Sequence, residues 1–171
     1  MVIDLENLIY GKSIAMLNNY VLRRIRYILD LSDNQMVEIM QLSGLTVTKA
    51  EIVSWLKKDD SPEYRECNDK TLVHFLNGLV YFRRGKSDNH PAPTVETHIN
   101  NNIILKKLRI AFALKDTDMI EIYQKADFRV SKPEINALFR HPEHKNYREC
   151  GDQLLRYFLK GLTLKLRHTS A

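Results

Sequence analysis

The chain contains itself twice. At an offset of 83 positions, residues 18–79 lie over residues 101–162 without a gap, and 24 of those 62 pairs are identical. Many other pairs exchange one apolar residue for another, as Val21 with Ile104 and Ile25 with Leu108. Self-similarity on this scale means two copies of one structural unit, so whatever one stretch folds into, the other must fold into as well. Units this small bury little surface alone. The two copies are therefore expected to pack on each other.

The repeat sets the boundaries. Residues 1–15 have no counterpart and read as a short N-terminal appendage, with Met16 a second candidate start. Residues 16–84 form the first repeat and 100–168 the second. The linker, 85–99, carries Gly85, Pro91 and Pro93 among polar residues.

Each copy reads as four helices. Leu22, Ile25 and Leu29 recur at helical spacing, as do Leu105, Leu108 and Phe112. Asn18 and Asn101 are expected to cap the first helix, and Asp33 and Asp116 the second. Thr48 with Glu51, and Ser131 with Glu134, have the spacing of a capping box at the third helix, and Pro133 fits its first turn. The fourth helix follows Tyr64-Arg65-Glu66-Cys67, repeated as Tyr147-Arg148-Glu149-Cys150, and its stripe is Leu72, Phe75, Leu76 and Leu79 against Leu155, Phe158, Leu159 and Leu162. Gly78 and Gly161 share a position inside that helix, where glycine costs stability unless another backbone comes close. No stretch alternates as strands do. The expected fold is all-α: two homologous four-helix units in tandem, packed against each other, with Tyr27 and Ile110 as candidates for the contact between them.

Composition excludes several classes. No apolar run approaches the ~20 residues that span a bilayer. The first residues carry Asp4 and Glu6 and no basic segment, unlike a secretory signal. With two cysteines and no such signal, a reduced, cytoplasmic protein is expected. The net charge of +5 is unevenly placed. Residues 101–171 hold 14 lysines and arginines against 8 carboxylates, while residues 18–100 balance at 11 of each. The surplus in the second copy points to a polyanionic partner, weighed against a simple solubility charge.

The candidate chemistry is thin. The second and third helices resemble a helix-turn-helix, but the connection is longer than the tight turn of that motif, and Asp127 stands where the first copy has Gly44. Cationic faces are the stronger signal: Arg23, Arg24 and Arg26 on the first helix, Lys106, Lys107 and Arg109 on its repeat, and Arg156, Lys160 and Arg167 on the last helix. Arg26 and Arg109, identical in both copies, read as structural and paired with an acid of their own copy. Cys67 and Cys150 lack a matched histidine, and read as buried residues at a turn. His141, His144 and Cys150 fall short of a zinc set, because Lys58 and Ser61 hold the histidine positions in the first copy. Gly11-Lys12-Ser13 ends like a phosphate loop but lacks its earlier glycine. Trp55 reads as core, with Leu138 in its place in the other copy.

Three strings carry a resemblance: NNNIILKKLRIAFALKDTDMIEI, VSKPEINALFR and HKNYRECGDQLLRYFLKGL. With them the chain resembles the YehS-like family of bacterial tandem-repeat proteins of unknown function, over about Met16 to Arg167. The resemblance implies an all-helical, cytoplasmic tandem protein with no assigned activity, cofactor or site residue.

The residues thus lead to an expected non-enzymatic binding protein, without cofactor, metal or membrane. Its second repeat would engage the phosphate backbone of RNA or DNA through Lys106, Lys107, Lys132, Arg140, Arg156, Lys160 and Arg167. The alternative is a protein-interaction adaptor that uses the groove between the repeats.

Overall fold

The computed structural model describes residues 14–87, 89 and 91–167. Nearly all of the expected appendage lies outside these residues; its last two, Ile14 and Ala15, already belong to the first helix. The first repeat holds α1 (Ile14–Leu29), α2 (Asp33–Leu42), α3 (Lys49–Leu56) and α4 (Asp69–Arg84). The second holds α5 (Asn101–Ala111), α6 (Asp116–Lys125), α7 (Lys132–Leu138) and α8 (Asp152–Arg167). No strand occurs among the described residues, and none of their helices is long and apolar enough to cross a membrane.

The expected capping boxes are present. Thr48 accepts from the Glu51 amide and Ser131 from the Glu134 amide, while each glutamate accepts from the backbone N–H of its cap residue. Pro133 sits in the first turn of α7, where its missing N–H breaks no helical bond. Four other expected caps do not hold. Asp33 and Asp116 are the first residues inside α2 and α6, which begin from Ser32 and Lys115. Asn18 lies a full turn inside α1, and Asn100, not Asn101, caps α5.

The reason is that the asparagines have another task. Asn18 Nδ2 donates to the Cys67 carbonyl (3.1 Å) and to Asp69 (2.8 Å). Asn19 Nδ2 donates to the carbonyls of Trp55 (3.0 Å) and Arg65 (2.7 Å), and its Oδ1 accepts from the Cys67 amide (2.8 Å). Asn101 and Asn102 repeat every one of these bonds with Cys150, Asp152, Leu138 and Arg148. The connection from third to fourth helix is non-helical, and its buried backbone groups need partners. A pair of asparagines supplies them, which is why Asn-Asn and Tyr-Arg-Glu-Cys recur together.

The glycines mark where helices cross. A Cβ on Gly78 would stand 1.9 Å from the Ile39 carbonyl oxygen, and one on Gly161 1.8 Å from that of Ile122. So α4 lies directly on the backbone of α2, and α8 on that of α6. Positive φ also repeats: Asp30 and Ala113 both end the first helix of their unit at φ 52°, and Gly44 (91°) and Asp127 (58°) both follow the second. Asp127 can stand in for Gly44 because a short polar side chain tolerates this region. Alanine has no such help, and at Ala113 the conformation costs roughly 1–2 kcal/mol.

The two repeats pack by exchange: α1 lies on α8, and α5 lies on α4. The first helix of each unit thus meets the fourth helix of the other. In both seams the contacts advance in step along the two helices, from Tyr20 with Arg156 to Tyr27 with Arg167, and from Lys107 with Asn77 to Ile110 with Arg84. Tyr27 and Ile110 do sit at these seams, yet they stay half exposed. Tyr27 meets Arg167 through its ring face and Ile110 meets Arg84 through its carbonyl.

The α4–α5 seam is the more deeply buried. Every residue from Thr71 to Leu79 is buried, so α4 is enclosed on all sides. The linker then lies over this seam: Asn77 and Lys107 both donate to the Thr94 carbonyl, Lys107 pairs with Glu96 (3.1 Å), and the Ile99 amide donates to Asp69.

Candidate nucleic-acid interface

On α8, residues 156, 160, 163 and 167 share one face at helical spacing, as do 20, 24 and 27 on α1. The packing of α1 on α8 brings these two faces together. Arg156 lies over the Tyr20 ring (4.5 Å to its centroid) and Arg167 over the Tyr27 ring (4.7 Å). Between them Arg24 Nη2 donates to Thr163 Oγ1 (3.0 Å), its guanidinium 5.9 Å from the Tyr27 centroid. Lys160 is exposed on the same stripe.

No carboxylate among the described residues pairs with Arg24, Arg156 or Lys160. The neighbouring Lys165 shows the contrast, since Asp118 (3.6 Å) and Glu121 (3.3 Å) neutralise it. Arg24 Nε is buried and has no acceptor among the described residues. A buried guanidinium N–H without a partner is costly.

The other expected contacts scatter. Lys107 is buried (7% exposed), held by Asn77 Oδ1 (2.7 Å), the Thr94 carbonyl and Glu96. It cannot meet a phosphate without opening the linker, so the sequence-based assignment of Lys107 is corrected here. The helical wheel placed it beside the solvent face of α5; the exchange packing put α4 and the linker there. Lys106 is exposed at a different corner, with Arg84 and Arg109. Arg140 follows the end of α7, and Lys132 opens that helix, both exposed. Seven expected residues thus divide into the α8 group of Arg156, Lys160 and Arg167, the single residue Lys106 at a second basic corner, the outlying Lys132 and Arg140, and one buried lysine.

Arg24, Tyr20 and Tyr27 complete the α8 group and stood outside that set. Their signal was present in the offset: Val73 and Asn77 of the first copy become Arg156 and Lys160 in the second. Only the exchange of helices tells which residues they face.

The comparisons with known proteins agree with this two-unit architecture. A family model described as "Protein of unknown function (DUF1456)" matches residues 18–85 and again residues 101–168. The chain belongs to the DUF1456 family. It is 51% identical over 150 residues to "Uncharacterized protein YehS" of Escherichia coli (strain K12), a match that covers 88% of this chain and 96% of that relative. No solved structure matches. Each DUF1456 unit corresponds to one set of four helices, so the repeated features of the fold, the asparagine clip and the glycine crossing, fall inside both matched ranges.

That clip also decides the fate of the DUF1456 cysteines. Cys67 and Cys150 are buried and unpaired. Burial, with Asp69 or Asp152 close by, pushes each thiol up to about 12. A thiol this far from ionising is a poor nucleophile at neutral pH. Trp55 is buried, as its pairing with Leu138 implied. Arg26 pairs with Asp33 (3.1 Å) and Arg109 with Asp116 (2.7 Å), each an acid of its own repeat. No group of three or more histidine, cysteine or acidic residues stands ready for a metal among the described residues.

Proposed function

We propose that this DUF1456 protein is a non-enzymatic, cytoplasmic nucleic-acid-binding protein that takes a phosphate backbone along the α1–α8 seam. The observation that carries the reading is the run of Arg24, Arg156 and Lys160, which no carboxylate among the described residues neutralises. Arg167 extends the run, and Tyr20 and Tyr27 interleave with it. Alternating cations and aromatic rings suit a single strand, where phosphates need charge and bases can lie against rings. Two unpaired cysteines fit a reducing compartment. The adaptor reading has less to rest on, since α1 fills one side of the space between the repeats and the α4–α5 pair fills the other.

Binding of this kind releases counterions. With about three phosphates neutralised, affinity for single-stranded RNA or DNA falls with log[salt] at a slope of about −2. Fluorescence anisotropy with labelled oligonucleotides, single- and double-stranded, over a salt series measures it. Arg156→Ala with Lys160→Ala should weaken binding and flatten the slope by about 1.4, two contacts at 0.7 each. No binding by any oligonucleotide at low salt removes the proposal, and an unchanged slope in the double variant removes the seam.

A further inference from the structure

A second site stands apart from that seam, at the corner where α4, α5 and α7 all end. A shallow, open pocket of about 480 Å³ lies there. Its wall is apolar, made by Ile110, Leu114 and Phe139; its rim is cationic, made by Arg84, Lys106 and Arg109. Two of these cations are fixed in place. Arg84 Nη1 donates to the Ile110 carbonyl (3.1 Å). Arg109 Nε donates to the Leu114 carbonyl (3.1 Å), its Nη2 meets Asp116, and its guanidinium covers one face of the Phe139 ring at 4.5 Å. Lys106 is exposed and has no ion pair among the described residues. Three cations therefore line the pocket; Arg84 and Arg109 cap carbonyls where α5 ends, Arg109 also pairs with Asp116, and Lys106 keeps its charge open.

The duplication supplies an internal control. At the matching corner of the first repeat, Arg167, Arg23 and Arg26 hold the three cation positions, so the positive rim is common to both. The differences lie in the lining. Tyr27 stands where the pocket has Ile110, and Asp30 stands where it has Ala113. Asp30 and Ala113 have the same φ of 52°. Aspartate is the easier residue in that conformation, so the alanine gives up backbone comfort and in return leaves the pocket without a second acid. That exchange is intelligible if the pocket receives an anion of its own.

We propose that this pocket binds a nucleoside monophosphate, its phosphate held by Lys106 and Arg84 and its base against Ile110, Leu114 and Phe139. The pocket shares no residue with the strand-binding seam and does not depend on it. The test is a two-dimensional NMR titration of the full chain with adenosine and uridine 5′-monophosphate at low salt, with inorganic phosphate as the control. At least one nucleotide should shift the amides around Ala113 and bind more tightly than phosphate. Ala113→Asp should fold with an unchanged or higher Tm, because Asp30 already occupies the same backbone state, and should weaken the nucleotide about tenfold or more by placing like charge beside the phosphate. Lys106→Ala should weaken it less, and Arg156→Ala with Lys160→Ala should leave it unchanged. The proposal is overturned if neither nucleotide binds, if phosphate alone binds equally well, or if Ala113→Asp binds like the wild type.

Discussion

The two seams between the repeats descend from the same pair of helices and have been treated in opposite ways. In the α4–α5 seam a lysine, Lys107, lies buried against Asn77 and is neutralised by Glu96 under the linker. In the α1–α8 seam Arg24 stands at the position of Lys107 and Lys160 at that of Asn77. There Arg24 and Lys160 pair with no carboxylate among the described residues, and the Arg24 Nε has no acceptor among them. The same contact geometry is closed on one side of the molecule and left cationic on the other. Duplication permits this: one seam can hold the units together while the other departs from what stability alone would select. The net charge of the second repeat is the trace of that division in the sequence.

The comparison can be broken at its base by the glycines. If both units share one core, Gly78→Ala and Gly161→Ala should each cost about 3 kcal/mol or more, since each new methyl group meets backbone that cannot move aside. Urea denaturation measures both. A small loss at either position would mean that the close crossing is not what holds that unit. The seams themselves separate at the next level. Lys107→Ala leaves the half-buried Glu96 and Asn77 without their partner and should cost about 2 kcal/mol. Arg24→Ala removes one hydrogen bond and one ring contact, and should cost about 1 kcal/mol or less. It should weaken oligonucleotide binding all the same, which Lys107→Ala should not. The opposite ranking would undo the contrast between a closed and a cationic seam.

An effect confined to alkaline pH sharpens what the units still share. Both thiols ionise near 9 in the unfolded chain and near 12 in the fold. The folded protein keeps its protons longer, so the contribution is intact below pH 9 and is lost as pH rises from there to about 12. At pH 9 itself the loss is about 0.4 kcal/mol per thiol, and it steepens to about 1.4 kcal/mol per pH unit. Denaturation midpoints followed upward from neutral pH should show this, and the Cys67→Ala, Cys150→Ala double variant should show a shallower fall. An equally steep fall in that variant would place the alkaline sensitivity elsewhere.

Much of this was written in the chain. The 83-residue offset determined that there are two units, the apolar spacing that they are helical, and the Thr48–Glu51 and Ser131–Glu134 pairs where the third helix begins. Gly78 and Gly161 announced a close crossing, because a glycine kept inside a helix needs a steric reason. These features are local, set by residues within a turn or two of each other, and the one-dimensional pattern contains them whole. The asparagines show where that legibility ends. As residues before an apolar run, Asn18 and Asn101 have the form of caps; only a loop some fifty positions away in sequence, folded against them, gives them their actual partners. The charged side chains were less legible still. Nothing in the local pattern separates Lys107, buried beside an acid, from Lys106, open at the rim of a pocket. A helical wheel assigns a direction but not what lies in that direction. That was decided by the exchange of first and fourth helices between the units, a contact between residues far apart in the chain, which buried the lysine of one seam and left the cations of its twin nearer the surface.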